Sequence, residues 1–321
     1  MTGCLGFRIV GPCTGERRLV DWLKAFTGYA SLDHRADVNH QAYLSAFTFG
    51  PDFGEYLKAR GTTKGFDGAC GADFIWFDID RPGLEAARRD AARLCHSLVE
   101  RFGVDDEDLL IWFSGAKGFH IGLPTAVWGP LPSLTFNRAA RRFAEGLAAG
   151  AKVEIDLGTY AKVQAFRAPN SRHAKSGLHK RHLSLHELTR MSVERIQVLA
   201  AAPQEFDLPE PTTGNTQAST DWQAAVQAVD TEKAAQTERF SIGEPLLNRS
   251  TLEFMHNGAN TGDRHRLLFS AAANLAEFGC PAGLAHQLLT QAALDSGLSP
   301  SDTRRQIECG LSRINRGHSS K

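Results

Sequence analysis

Residues 74–80, FIWFDID, followed after a spacer of helix length by residues 112–124, WFSGAKGFHIGLP, decide how this chain reads. Side chains alternate faces along a strand, so an apolar strand ending in Asp78 and Asp80 presents both carboxylates on one side. That pair suits a divalent cation. The second segment sets Ser114, Lys117 and His120 around a turn flanked by Gly115 and Gly118, which brings hydroxyl, ammonium and imidazole donors within reach of one polyanion such as a triphosphate. Cation and triphosphate together point to nucleotide chemistry.

Two further stretches extend the pattern: Val-Glu-Ile-Asp at 153–156 and FRAPNSRHAKSGLHK at 166–180. In order and spacing, Asp78-Ile79-Asp80, the SGAKGFH of 114–120, Asp156 and this basic stretch resemble the archaeo-eukaryotic primase superfamily over roughly residues 60–190. The resemblance implies an α+β catalytic domain with an RRM-like mixed sheet. It implies that Asp78, Asp80 and Asp156 are catalytic and hold two ions, Mg²⁺ or Mn²⁺, with Asp156 completing the site for an attacking 3′ hydroxyl. It also implies that Ser114 and His120 contact the incoming nucleotide's phosphates, with Lys117 or the backbone of Gly118 assisting. Arg167 and Lys175 are the next candidates for the triphosphate, because Arg binds it bidentately and Lys as a mobile point charge. Asn170, Ser171 and Lys180 follow them. Glu154 falls on the same strand face as Asp156 and is a candidate to share its metal role, and Ser176 stands where relatives often carry Thr.

At 321 residues, the chain has room for about two domains, and 42% hydrophobic content is ordinary for a folded soluble protein. It contains no apolar run of about 18 residues, and its first residues lack the pattern of a signal peptide, so no membrane partner and a cytoplasmic location are expected. The six cysteines form no CxxC pair or Cys/His cluster, which predicts reduced thiols and no structural zinc. Net charge is zero. Phosphate attraction depends on local patches, however, and Lys162, Arg167, Arg172, Lys175, Lys180 and Arg181 form a run with no Asp or Glu among them.

Apolar spacing predicts helices over 16–27, 53–60, 83–102 and 136–149, and strands over 109–113, 119–123 and 153–157. Residues 1–202 therefore read as the catalytic domain. From 203 to 239 the composition turns to Gln, Thr, Ala, Pro and Glu, which reads as a linker with a short helix around 222–229. Residues 240–321 read as an all-α bundle with helices over 262–278, 281–294 and 299–314. Pro281 and Pro300 sit in first turns, Ser299 caps, and Gly279, Gly297 and Gly317 terminate. This region is similar to the primase C-terminal helical domains of bacterial and plasmid primase-polymerases. That similarity implies a part in starting chains, for which Arg264, His265, Arg304 and Arg305 are candidates.

The leading expectation is a template-directed primase-polymerase, a nucleotidyltransferase acting on single-stranded DNA with NTP or dNTP and served by a separate helicase. The alternatives are a replication-initiation or nucleic-acid-binding protein without turnover and a two-metal phosphoesterase. A P-loop ATPase is excluded, because no GxxxxGK[ST] occurs.

Overall fold

In a computed structural model, which describes residues 4–210, 213–241, 247–260 and 262–315, the chain divides into two units, Met1–Lys233 and Ala234–Lys321. The first is built on two antiparallel sheets. Its elements begin with β1 (Leu5–Val10), β2 (Arg18–Asp21), α1 (Trp22–Ala30), β3 (Ala42–Ser45), β4 (Thr48–Phe49), α2 (Pro51–Arg60) and β5 (Cys70–Gly71). There follow β6 (Phe74–Asp80), α3 (Leu84–Phe102), β7 (Leu110–Phe113), β8 (Gly118–Pro124), α4 (Phe136–Gly150), β9 (Ala165–Arg167) and β10 (Arg181–Leu183). Two short helices, α5 (Leu185–Arg190) and α6 (Val193–Leu199), come last, with the greater part of the long α7 (Thr216–Ser241), which continues past Lys233. Among the described residues one sheet runs β5-β4-β1-β3-β9 with β2 beside β1, and the other runs β10-β7-β8-β6.

The β6–β8 pair is the spine of the second sheet. Its register sets Trp76 against Gly122, Asp78 against His120 and Asp80 against Gly118. The glycine opposite Trp76 is required: a Cβ at Gly122 would come within 2.6 Å of the indole. α3 lies on β6 and β8 through Ala87, Ala91, Leu94 and Leu98 at helical spacing. It ends at Gly103, whose left-handed backbone (φ 58°) a glycine adopts without strain. A chain of rings ties the two sheets together. Phe26 stacks on Trp22 at 4.9 Å and on Trp76 at 6.1 Å, and Trp76 stacks on Phe166 at 5.1 Å.

Four sequence expectations change. The expected mixed sheet is not found: among the described residues every strand pairing is antiparallel, as the tight turn at 114–117 that joins β7 to β8 requires of its two strands. Residues 18–21, read as helix, form β2 against β1, and the helix starts at Trp22 with Asp21 capping the amide of Lys24. The stretch 153–157 is no ladder strand. It follows the outer edge of β6, where the Asp156 amide donates to the Asp78 carbonyl at 2.9 Å. A short 3₁₀ turn at Leu157–Tyr160 comes next, and its Tyr160 hydroxyl donates to the Trp76 carbonyl at 2.6 Å. The region read as a linker also joins the core. Trp222 is buried against Trp128, Phe136 and Phe143, and Phe206 packs on Trp112 and His182. A low average hydropathy hid these two anchors.

The second unit packs α8 (Arg249–Asn257), α9 (Arg264–Glu277), α10 (Ala282–Asp295) and α11 (Pro300–Asn315) around Phe254, Leu268, Leu289 and Ile307. Ser299 caps the amide of Asp302 at 3.1 Å, and Gly279 and Gly297 hold positive φ; Gly317 lies outside the described residues. α8 is an addition, its start marked by the Asn248 side chain on the amide of Thr251. Arg264 donates to the carbonyls of Ser296 and Gly297, and Arg304 and Arg305 pair with Glu308 and Asp302. Among the described residues no helix is long and apolar enough to cross a membrane.

Candidate active site

The two motifs meet because β6 and β8 are neighbours. A cavity of about 200 Å³ opens where they end, walled by Asp78, Asp80, Ser114, Lys117, His120, Asp156 and Arg167. Tyr43, Thr159, Gln164 and His173 share the wall. All three carboxylates anticipated from the sequence therefore face one space.

Each carboxylate is held differently. Asp80 is in an ion pair with Lys117, Nζ to Oδ2 2.8 Å. Asp156 accepts the amide of Gly158 at 2.8 Å. Asp78 has the His120 ring beside it, Nε2 to Oδ1 3.5 Å, and its Oδ1 is buried without a hydrogen-bond partner among the described residues. Burial, then the charges of Asp80 and Asp156, push the Asp78 carboxyl up to about 7. With Asp80 turned to Lys117 and Asp156 to its own turn, the side chains are not converged. Among the described residues, no three His, Cys, Asp or Glu stand close enough to hold a metal ion.

The phosphate-type donors follow from the Ser114–Gly118 turn. Gly115 takes φ 84°, and the amides of Ala116 and Gly118 point at the Ser114 oxygen, at 3.4 and 3.2 Å, leaving its hydroxyl hydrogen to be donated. The Gly118 amide is thus spent inside the turn rather than offered to a phosphate. What that glycine supplies is space: a Cβ there would lie 2.1 Å from Asp80 Oδ1 and 2.4 Å from the Ile79 carbonyl. His120 is buried, with Nδ1 unpartnered, and its pKa is lowered, first by burial and then by the nearby Lys180 and Arg167. Arg167 lies with its guanidinium over the Tyr43 ring at 5.3 Å and its Nη1 buried without a partner.

Other candidates sit elsewhere. Lys175 is exposed on a turn, where its amide donates to the His173 ring, and it does not line the cavity. Glu154 is 92% exposed and turned outward to Arg81 at 3.4 Å, away from Asp156. The alternation that put Glu154 and Asp156 on one face needs a pleated strand, and this segment is not in a ladder. Asn170 and Ser171 are fully buried: Asn170 bonds the carbonyls of Tyr29 and Gln204, and Ser171 that of Ala168. Ser176 donates to the Gly115 carbonyl, bracing the turn. Lys180, also fully buried, sits behind the cavity wall, its Nζ donating to the Arg167 carbonyl at 2.8 Å among Trp76, Trp112 and Phe166. Burial, then Arg167, draws its pKa well below the usual lysine value.

Sequence reading missed Tyr43, Thr159, Gln164 and His173. They come from β3, the 3₁₀ turn, the approach to β9 and the basic stretch, and only the last carried a signal.

No family model and no curated protein matches the chain. Among solved structures it is similar to a crystal structure of a primase, RepB′, at 12% identity and a TM-score of 0.36, over 99% of this chain and 96% of that one. A TM-score of that size does not establish a shared fold.

Proposed function

We propose that this chain is a template-directed nucleotidyltransferase, a primase-polymerase that makes or extends primers on single-stranded DNA. One observation carries the reading: among the described residues Asp78 Oδ1, His120 Nδ1 and Arg167 Nη1 are all buried without partners, and all three residues border the cavity that Asp80, Asp156, Ser114 and Lys117 also line. An unpaired buried polar atom costs about 1–3 kcal/mol, so three around one cavity mark a site built for a ligand with both cationic and anionic parts. A metal–triphosphate has that character. The cavity is smaller than the about 300–1,000 Å³ that encloses whole ligands, which fits phosphates inside and base and sugar outside, toward a template.

Hard oxygen ligands suit Mg²⁺ or Mn²⁺, and Asp78, Asp80 and Asp156 are the residues that would hold such ions. When bound, they would activate the attacking hydroxyl and neutralise the leaving pyrophosphate. The chain's own part is binding and orientation. Ser114 donates its hydroxyl hydrogen, Lys117 brings a mobile ammonium, and the Arg167 guanidinium, packed on Tyr43, offers a fixed fork. His120, buried and neutral, offers a hydrogen bond rather than a charge. Its ring stands 4.5 Å from that of Phe166, which fixes its tilt.

The second reading is a nucleic-acid-binding protein without turnover, favoured by the unconverged carboxylates. Incubation with single-stranded DNA, Mn²⁺ or Mg²⁺ and labelled nucleotides separates the two. Growing product supports the enzyme, retention of DNA without product supports the binding protein, and degradation would point to a phosphoesterase.

A further inference from the structure

Lys117 differs from the other donors of its turn. Ser114 and His120 are buried, whereas the Lys117 side chain is 73% exposed and free to swing, yet its ammonium lies 2.8 Å from Asp80 Oδ2. The strand register enforces this pairing. Asp80 is opposite Gly118, and the carboxylate lies so close to that glycine that no side chain fits between them. Lys117, one residue away, therefore has its backbone fixed within side-chain reach of Asp80. Among the described residues neither Asp78 nor Asp156 makes a lysine or arginine ion pair of this kind: Asp78 has the His120 ring at 3.5 Å, with the charges of Lys180 and Lys117 acting from farther off, and Asp156 caps an amide.

A divalent cation at Asp80 would meet this ammonium at close range, where like charges repel and compete for the same oxygen. We infer that Lys117 is an exchangeable stand-in for the cation: it neutralises Asp80 until a divalent ion arrives with a triphosphate, then moves from the carboxylate to the phosphates. This rests on the reading of the cavity as a metal–triphosphate site and adds how that site is loaded. Both destinations lie on one small cavity, so a change of rotamer covers the distance. Because the ion displaces Lys117 and the triphosphate receives it, each ligand improves the other's binding, a coupling that is reciprocal. Cation alone binds weakly, and the unloaded site stays neutralised.

Mn²⁺ binding to the full chain, measured with and without a non-hydrolysable nucleoside triphosphate, tests this in Lys117→Met, Lys117→Arg and Asp80→Asn. Lys117 is exposed, so its variants keep the fold. In Lys117→Met, Mn²⁺ alone should bind at least about threefold more tightly than to the wild type, a modest change because the pair is partly screened. Triphosphate affinity should fall, and the mutual enhancement should shrink toward none. Lys117→Arg, which keeps the charge, should bind Mn²⁺ as weakly as the wild type. Tighter cation binding together with weaker triphosphate binding in Lys117→Met is not what a merely structural lysine gives. Unchanged or weaker Mn²⁺ binding in Lys117→Met, with Asp80→Asn impaired, overturns the exchange and leaves the metal site standing. If Asp80→Asn binds Mn²⁺ as the wild type does, Asp80 is no ligand, and the site reading falls together with the exchange.

Discussion

Asp78 is the residue at which folding and function pull apart. Its carboxyl is pushed up to about 7 by burial and by the charges of Asp80 and Asp156. Since the unfolded value is about 3.9, the native chain holds a proton that the unfolded chain has released between about pH 4 and 7. Asp78 therefore lowers stability as pH rises through that window, and the whole penalty, about 4 kcal/mol at most, is present above it. Without metal, Asp78→Asn should gain on the wild type as pH goes from 5 to 8, while abolishing nucleotide transfer. Urea unfolding of both proteins at the two pH values checks this. An equal offset at both values would contradict the assigned penalty. His120→Ala and Arg167→Ala should each weaken triphosphate binding at least tenfold while sparing template binding, since a hydrogen bond involving a charged group is worth about 1.5–3 kcal/mol. Separate titrations with a nucleotide and with single-stranded DNA read the two effects, and a collapse of DNA affinity with nucleotide binding intact would exchange the roles.

At the scale of elements, the site depends on how closely β8 approaches β6. Gly118→Ala would drive a Cβ against the Ile79 carbonyl, which cannot yield, and against Asp80. A loss of about 1–3 kcal/mol is expected, as for other overpacked positions, together with weakened Mn²⁺ binding. Gly146→Ala, inside α4 with open space around it, is the control and should be neutral or slightly stabilising. Equal stabilities by urea unfolding would mean that the strands can separate. These two strands were legible in the sequence, because unbroken apolar runs such as FIWF and IGL end at residues of distinctive chemistry and because a helix with a glycine stop lies between the motifs. Other parts were hidden for physical reasons. β9 is three residues long, too short for a period, yet it delivers Arg167 and, with Gln164 just before it, much of the cavity wall. Tyr43 reaches the site only through its pairing with Arg167 across β3 and β9. Lys180 carried a surface residue's identity, and only the ring cage from both sheets reveals it as buried. Glu154 misled because alternation was assumed where no ladder exists.

For the whole molecule, the boundary between units falls at Lys233, inside α7, rather than in a loose linker. A fragment ending at residue 219 removes Trp222, whose ring lies 4.9 Å from Phe136 and 5.6 Å from Phe143. Loss of such a buried aromatic costs about 3–5 kcal/mol. A fragment of residues 1–233 keeps it and should melt clearly higher than 1–219. Coincident melting curves would remove Trp222 from the core's account. Since every proposed cation and triphosphate ligand precedes residue 181, the 1–233 fragment should also extend a supplied primer as the full chain does. Starting chains without a primer is more demanding, because two free nucleotides must be held together, and that reaction should fall when the helical unit is absent. Equal dinucleotide synthesis by fragment and full chain would reject a priming role for the unit. The central claim is that Asp78, Asp80 and Asp156 hold divalent cations against a triphosphate bound by Ser114, Lys117, His120 and Arg167. A crystal structure with Mn²⁺ and a non-hydrolysable nucleoside triphosphate tests it most directly. The expected result is anomalous scattering from manganese between Asp78 and Asp80, with phosphate oxygens on Ser114 and Arg167; manganese absent from those carboxylates, or a triphosphate seated elsewhere, would contradict it.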